Sequence, residues 1–333
     1  MLETLILSDE EVRDLLSMSD VMRVVEFAFR EKSLGRTQMP PKLYLIFDKY
    51  NGDLRAMPSY IEAIDVVAVK IVNSHPENRE KYGLPSVIAT IILVDPKNGF
   101  PLAVMGGTTI TNMRTGAAGG IAAKYLARNE SKVISLIGAG AQARTQLAAL
   151  IEVFKSLDEV RVWDINEKNM RAFKEEMDAK YGHICQIKTV KNAENAVRGA
   201  DIVVTATPSR APIVMDEWVS PGMHYNCIGA DVPGKQELDP RILKRSKIVV
   251  DDWEQAAHSG EINVPLSMGI ISKRDVWAEL GEIVAGKKPG RAGKDEITVF
   301  VSTGLAIQDA ATADLAYRRA LERGVGKRVR IAL

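Results

Sequence analysis

Residues 138–143 read Gly138-Ala139-Gly140-Ala141-Gln142-Ala143, a G-x-G-x-x-A string that follows the apolar run VISLI and opens the helical run TQLAALIEVF. A dinucleotide site needs that context. Gly138 permits a tight turn and Gly140 lets the backbone approach a pyrophosphate. Ala143 allows close helix–strand packing, and the free N–H groups from Ala141 and Gln142 onward hold the anion. Twenty-one residues past Ala143, at the end of VRVW, stands Asp164. A carboxylate there accepts hydrogen bonds from ribose hydroxyls and repels a 2′-phosphate. Ile165 and Asn166 follow with no arginine, so the pattern selects NAD over NADP.

Cations form the second group. Lys70 interrupts the otherwise apolar VVAVKIV, and Lys42 and Arg55 lie on or beside neighbouring strand-like runs. Lys70 either snorkels to a sheet edge or is held in a pocket. In the pocket, burial beside other cations depresses its pKa toward a range useful for acid–base chemistry. Arg114 and Thr115 open the glycine-rich stretch MRTGAAGG. An arginine at a helix start opposes the macrodipole unless it holds an anion: a phosphate or a substrate carboxylate on one reading, a surface ion pair on the other. Asp231, in GADVPGKQELD, follows a strand of the dinucleotide fold. It either faces the ligand crevice at the strand C-terminus or caps a helix at Glu237 to Leu243. Thr207, Pro208 and Ser209 end the preceding strand, placed to line a cofactor. His75 in NSHP reads as a loop or rim residue, and the loop HSGEIN (His258, Glu261) reads as structural. The remaining histidines are scattered without H-E-x-x-H or paired His/Cys spacing, so no metal site is expected. The basic GKKPGRAGK, Gly286 to Lys294, reads as a solvated loop.

Two rhythms must position these groups. A capping box, Ser8 with Glu11, and a stretch from Ser19 to Gly35 predict a helical opening. KLYLIF, LRAMP, VVAVKIV, VIATIILV and FPLAVM then predict an antiparallel meander, with turns at Asn51-Gly52 and Asp95 to Gly99. A small-residue helix follows, from Arg114 to Arg128. From Lys132 the runs VISLIG, VRVWD, CQIKTV, DIVVTAT, HYNCIGAD and KIVVDD alternate with helical stretches, which predicts a parallel sheet covered on both faces. EITVFVSTG and a helix from Leu305 to Arg323 fit neither rhythm and could return to the first domain. The fold class expected is α/β, with a dinucleotide-binding domain at 115–300 and the other domain formed by 1–114 plus 301–333.

The 333 residues, 46% apolar and 26% charged, suit about two globular domains. A net charge of +1 argues against nucleic acid or an anionic membrane as partner. The most apolar run, Val87 to Val94, is too short to span a bilayer, and the acidic start MLETLILSDEEV lacks a signal peptide's basic region. Two cysteines make no disulfide framework, which suits a cytoplasmic protein.

The stretches MPPK, LRAMPSY, KIVNSHP, GFPLAVM, MRTGAAGGIAAKYLAR, IGAGAQA, TPS, IGADVPGKQELD, IVVDD, SGEIN and STGLAIQDAATADLAY, in order from about residue 39 to 317, resemble the ornithine cyclodeaminase/μ-crystallin family, above all its alanine-oxidising branch. The resemblance implies a Rossmann NAD domain inserted into an α+β catalytic and dimerisation domain, and a homodimer whose meander sheets associate. It implies cofactor contacts at Arg114, Gln142, Asp164 and Ser302, substrate contacts at Lys42 and Lys70, and a catalytic aspartate at Asp231. The reaction implied is reversible oxidative deamination of a small L-amino acid, alanine to pyruvate and ammonia. Ornithine cyclodeamination, ketimine reduction and non-catalytic ligand binding are the other activities of such chains. One departure stands out: many members have an acidic residue after FPLAVM, where this chain has Gly106-Gly107.

Overall fold

The computed structural model describes residues 3–331. The described residues divide into two compact units: those up to Arg114 together with those from Leu305 onward, and Thr115–Gly304 between them.

The first unit opens on a strand, β1 (Thr4–Leu7), where the sequence reading has only helix. TLIL is short but apolar, and it buries Leu5 and Leu7 by pairing parallel to the last strand of the meander. The Ser8–Glu11 capping box then starts the helix Asp9–Leu15, and a second helix spans Met18–Ser33. After β2 (Thr37–Gln38) come β3 (Leu43–Phe47), β4 (Gly52–Ile61), β5 (Val66–Ser74), β6 (Val87–Val94) and β7 (Pro101–Gly106). From β3 to β7 each strand pairs antiparallel with the next, as the spacing of turns predicts. Asn51 supplies the left-handed conformation at the β3–β4 turn, φ 45°. The register aligns one cross-strand row, Leu7, Met105, Ile91, Lys70 and Met57. Lysine is the one charged member of that row. The C-terminal helix, Ala306–Arg323, lies against β4, β5, β6 and the helix Met18–Ser33, its alanines 306, 310, 313, 316 and 320 buried.

The second unit holds β8 (Val133–Ile137), β9 (Glu159–Trp163), β10 (Gln186–Thr189), β11 (Ile202–Thr205), β12 (His224–Cys227), β13 (Ser246–Val250), β14 (Val276–Glu279) and β15 (Ile297–Val301). They form one parallel sheet in the order β10-β9-β8-β11-β12-β15-β13-β14. The chain winds outward in both directions from β8, so the order reverses between β8 and β11, the place where such sheets bind ligands at their strand C-termini. β15 inserts between β12 and β13, and the unit runs on to Gly304, past the 300 read from the sequence. Two apolar cores cover the two faces, one built on the helix after β8 and the other on the elements after β12.

Candidate active site

Lys70 is 1% exposed, in the middle of the apolar row described above. Strand alternation alone sends its side chain to the covered face, so the pocket reading holds and the sheet-edge reading does not. Its Nζ lies 2.7 Å from Asp309 Oδ2, on the C-terminal helix. Burial, with the Arg114 guanidinium and then Lys42 beside it, lowers the lysine's pKa from its ordinary value to about 7, even though Asp309 opposes the fall. Arg114 Nε donates to Asp309 Oδ1 at 2.9 Å, and Arg114 Nη1 donates to Gln308 Oε1 at 3.3 Å. One buried carboxylate thus holds two cations. Arg55, on the same face of β4, is nearly buried and grips Asp53 with both arms, at 2.8 and 2.9 Å, its guanidinium over the ring of Tyr44. Lys42 precedes β3 and is half-buried.

The helix bearing Arg114 starts at Thr108, not at Arg114. The run TTITN has weak helix propensity, which hides the start from the sequence. Asp9 supplies it from the first helix: its carboxylate accepts from Thr109 N at 2.9 Å and from Thr109 Oγ1 at 2.7 Å. Arg114 is therefore two turns inside the helix and away from the positive end of its dipole. The surface ion pair is also excluded, because its partner Asp309 is buried. The departure at Gly106-Gly107 has the same origin. A Cβ on Gly106 would lie 2.6 Å from the backbone of Asp9, so glycine makes room for an acidic group supplied from elsewhere in the chain.

In the second unit the fingerprint has the geometry its residues imply. Gly138 has φ 102°, and a Cβ there would meet the Ala206 carbonyl oxygen at 2.7 Å. At Gly140 an added Cβ would meet no atom within 4 Å, and the helix that begins at Ala141 has no side-chain cap. An uncapped helix N-terminus facing open space is a cradle for a pyrophosphate. Asp164 Oδ2 accepts from Ala139 N and Oδ1 from Asn166 N, both at 2.8 Å, which fixes the carboxylate beside the turn with lone pairs left for ribose hydroxyls. Thr115 is buried, and its carbonyl accepts from Gln146 Nε2 at 2.9 Å. Glycines 116 and 119 let this helix pass the one after β8, where any Cβ would strike Thr145 or Gln146. Ser302, at the C-terminal end of β15, keeps a buried Oγ that has no partner among the described residues. These features fit NAD.

Asp231 does not cap the following helix, which starts at Pro240 and is capped by Asp239. Asp231 instead pairs with Lys235 at 2.7 Å, both partly exposed. The hydroxyl and N–H of Thr207 donate to Glu237, each at 2.7 Å. His75 stacks on Phe47 above Gly52, whose missing Cβ makes the room. His224 is locked between Thr298 Oγ1 and Asn226 Oδ1. In the basic loop, Arg291 is a latch, donating to the carbonyls of Leu126 and Gly222. Among the described residues no group of histidine, cysteine and carboxylate side chains is placed to hold a metal.

Sequence reasoning missed two carboxylates, Asp309 and Glu237, and had Glu261 only as part of a structural loop. Asp309 was visible as a lone charge in the small-residue run AIQDAATA. Glu237 accepts from Thr207 and from Gly229 N at 2.9 Å, tying the segments after β11 and β12 together. Glu261 in turn accepts from the N–H groups of Glu237 and Leu238. Burial raises the pKa of both glutamates above the usual carboxylate range, and for Glu261 the charge of Glu237 adds to the rise.

The chain is 53% identical over 333 residues to an alanine dehydrogenase from Archaeoglobus fulgidus, covering 99% of each protein. Among solved structures, an archaeal alanine dehydrogenase dimer with bound NAD matches with a TM-score of 0.94 and 53% identity, over 99% of this chain and 100% of the other. The Δ1-pyrroline-2-carboxylate reductase of Thermococcus litoralis, in complex with NADH and L-proline, also matches with a TM-score of 0.94, at 47% identity over 97% of this chain and 99% of the other. The family model described as ornithine cyclodeaminase/mu-crystallin matches residues 2–324. A nearly buried lysine on a meander, a dinucleotide cradle and matches along the whole chain lead to one assignment: this chain belongs to the ornithine cyclodeaminase/mu-crystallin family.

Proposed function

We propose that this protein catalyses the reversible, NAD-dependent oxidative deamination of a small L-amino acid, L-alanine plus NAD⁺ and water giving pyruvate, ammonium, NADH and a proton. The observation that carries the reading is Lys70, buried among cations with a pKa near neutrality, in a chain whose second unit fits NAD. Bound NAD supplies the acceptor for the electron pair and hydrogen of the Cα–H bond. Lys42 holds the substrate carboxylate, with Arg55, fixed by Asp53, adding its charge beside it. Lys70, largely neutral above pH 7, takes the proton that the substrate ammonium must lose before loss of hydride can give the cationic imine. That proton passes to solvent as the net proton of the reaction, while the water that adds to the imine carbon supplies the carbonyl oxygen and the two hydrogens that complete the ammonium. Asp231 stabilises the cationic imine or orients that water. Arg114, Thr115, Gly138, Gly140, Ala141, Gln142, Asp164, Thr207, Asp231 and Ser302 are assigned to the cofactor. Correct placement of two reactants alone supplies about 7 kcal/mol or more of barrier reduction, so no metal is needed.

A homodimer belongs to the same reading. The outer face of the meander carries the exposed apolar residues Leu43, Leu45, Ile71 and Ile88, aligned across β3, β5 and β6, a surface suited to a second copy. Among the described residues no helix is long and apolar enough to cross a membrane. The two buried thiols, Cys185 and Cys227, suit the reducing cytoplasm, where we place the protein.

Reduction of a cyclic imine is the second reading, favoured by the match to the Thermococcus litoralis reductase. Cyclodeamination of a diamino acid needs a carboxylate for the distal amine, and the carboxylates beside Lys70 and Arg55 are already paired. The test is incubation with NAD and a panel of L-amino acids, following NADH absorbance and ammonia together, with a parallel arm of NADH and Δ1-pyrroline-2-carboxylate. NADH and ammonia in equal amounts from alanine support the first reading. Turnover only in the reductive arm establishes the second, and ammonia from ornithine without net NADH overturns both.

A further inference from the structure

Asp309 belongs to neither the fingerprint nor the cation group, yet it is the hub on which two of those cations converge. It is 1% exposed, on a helix whose neighbouring buried positions are mostly alanine and threonine, and its two oxygens are divided between Lys70 Nζ at 2.7 Å and Arg114 Nε at 2.9 Å. Gln308, the residue before it, accepts from Arg114 and from the N–H of Leu305, which steadies the first turn of the helix. We propose that Asp309 is a positioning residue of the reaction, a carboxylate that fixes the Lys70 amino group and the Arg114 guanidinium in the arrangement the substrate meets. This rests on the reading of Lys70 as the proton acceptor.

The chemistry follows from the charges around Lys70. The C-terminal helix presents Asp309, the helix Thr108–Leu126 presents Arg114, and Lys42 comes from the segment before β3. Arg55 lies one residue row away on β4 and is occupied by Asp53. The flanking positions of Lys70 in its own row, Met57 and Ile91, carry no charge. Asp309 is therefore the carboxylate that opposes the two cations lowering the lysine's proton affinity. Without it, Lys70 would be neutral to a lower pH and free to leave its place. With it alone, after loss of Arg114, Lys70 would keep its proton to a higher pH.

Two variants read this out from opposite sides, on the full chain and with whichever substrate the wild type turns over. The acid limb of kcat/KM in the amine-oxidising direction, or the corresponding limb in the reductive direction, reports the lysine. Asp309→Asn should move that limb down by about one pH unit or more, and Arg114→Gln should move it up by a similar amount. Limbs that stay within about 0.3 unit of the wild type in both variants, with only kcat lowered, would reduce Asp309 to a structural ion-pair partner and overturn the proposal. If Asp309→Asn does not fold, the upward shift in Arg114→Gln carries the test by itself, and its absence overturns the proposal. A wild type with no turnover on any arm overturns the parent reading instead, so the two failures are distinguishable.

Discussion

Replacing Lys70 by methionine should abolish turnover and yet stabilise the first unit at acid pH. The two side chains have similar length and the Lys70 side chain is buried, so the packing survives the exchange. Below pH 7 the wild type buries two cations on one carboxylate, a net positive charge, whereas the variant keeps a neutral Asp309–Arg114 pair. The size of the effect follows from linkage. Burial lowers the lysine's pKa from 10.5 to about 7 in the folded protein. Between those values the unfolded chain binds the extra proton, so wild-type stability rises with pH across the window and is lost as pH falls through 7. Each pH unit inside the window is worth about 1.4 kcal/mol. Going from pH 6 to pH 9 crosses about two such units, so the wild type should recover roughly 3 kcal/mol relative to the variant. At about 2–4 °C per kcal/mol for a domain of this size, that is a change of roughly 10 °C in the gap between melting temperatures. Calorimetric unfolding of both proteins at pH 6 and pH 9 measures it. The variant should melt above the wild type at pH 6, and the gap should narrow at pH 9. A gap that is the same at both pH values, or that widens at pH 9, would refute the reasoning.

The other expectations concern the second unit. Gly140→Val places its side chain where the protein has no atom, so thermal stability should hold while the Kd for NAD rises at least about tenfold in titration calorimetry; a normal Kd would remove the cradle from consideration. Gly138→Ala should instead cost about 1–3 kcal/mol in denaturant unfolding, because φ is 102° and the Cβ meets a carbonyl oxygen. Asp164→Ser combined with Ile165→Arg should reverse the preference between NAD and NADP, read as the ratio of kcat/KM values; an unchanged ratio would move the ribose site elsewhere. Glu237 and Glu261 have folded pKa values raised above the unfolded ones, so their contribution is present at acid pH and fades as pH rises through the folded values. The second unit's melting temperature should therefore fall as pH rises above the ordinary carboxylate range, and Glu237→Gln should flatten the trend.

Much of the fold was legible because its signals are local. Alternation with Asn51-Gly52 and Asp95–Gly99 turns marks β3 to β7, and the near-continuous apolar runs mark the parallel strands of the second unit. What escaped depends on distant partners. TLIL becomes a strand because β7 offers it an edge, and its four residues carry no alternation long enough to read. The helix Thr108–Leu126 starts six residues before Arg114 because Asp9, 100 residues earlier in the chain, caps it, and no propensity in TTITN announces that. EITVFV looked like a strand without a home because β15's neighbours, β12 and β13, are both earlier in the chain.

The candidate site divides along the same line. A lysine in VVAVKIV is an anomaly inside its own strand, so it can be found from the sequence; the carboxylate that balances it cannot, since Asp309 violates no local rule until the helix is laid on β5. This asymmetry bears on substrate choice. The sequence exhibits Lys42, Arg55, Lys70 and Arg114 as four positive charges, which would suit a strongly anionic ligand. The structure sets Asp53 against Arg55 and Asp309 between Lys70 and Arg114, so these carboxylates answer three of the four. On the proposed reading, a substrate with a distal ammonium would meet carboxylates already engaged by arginine and lysine. Asp309, which breaks no rule in the sequence, is thus the residue that weighs on that reading against a diamino acid as substrate.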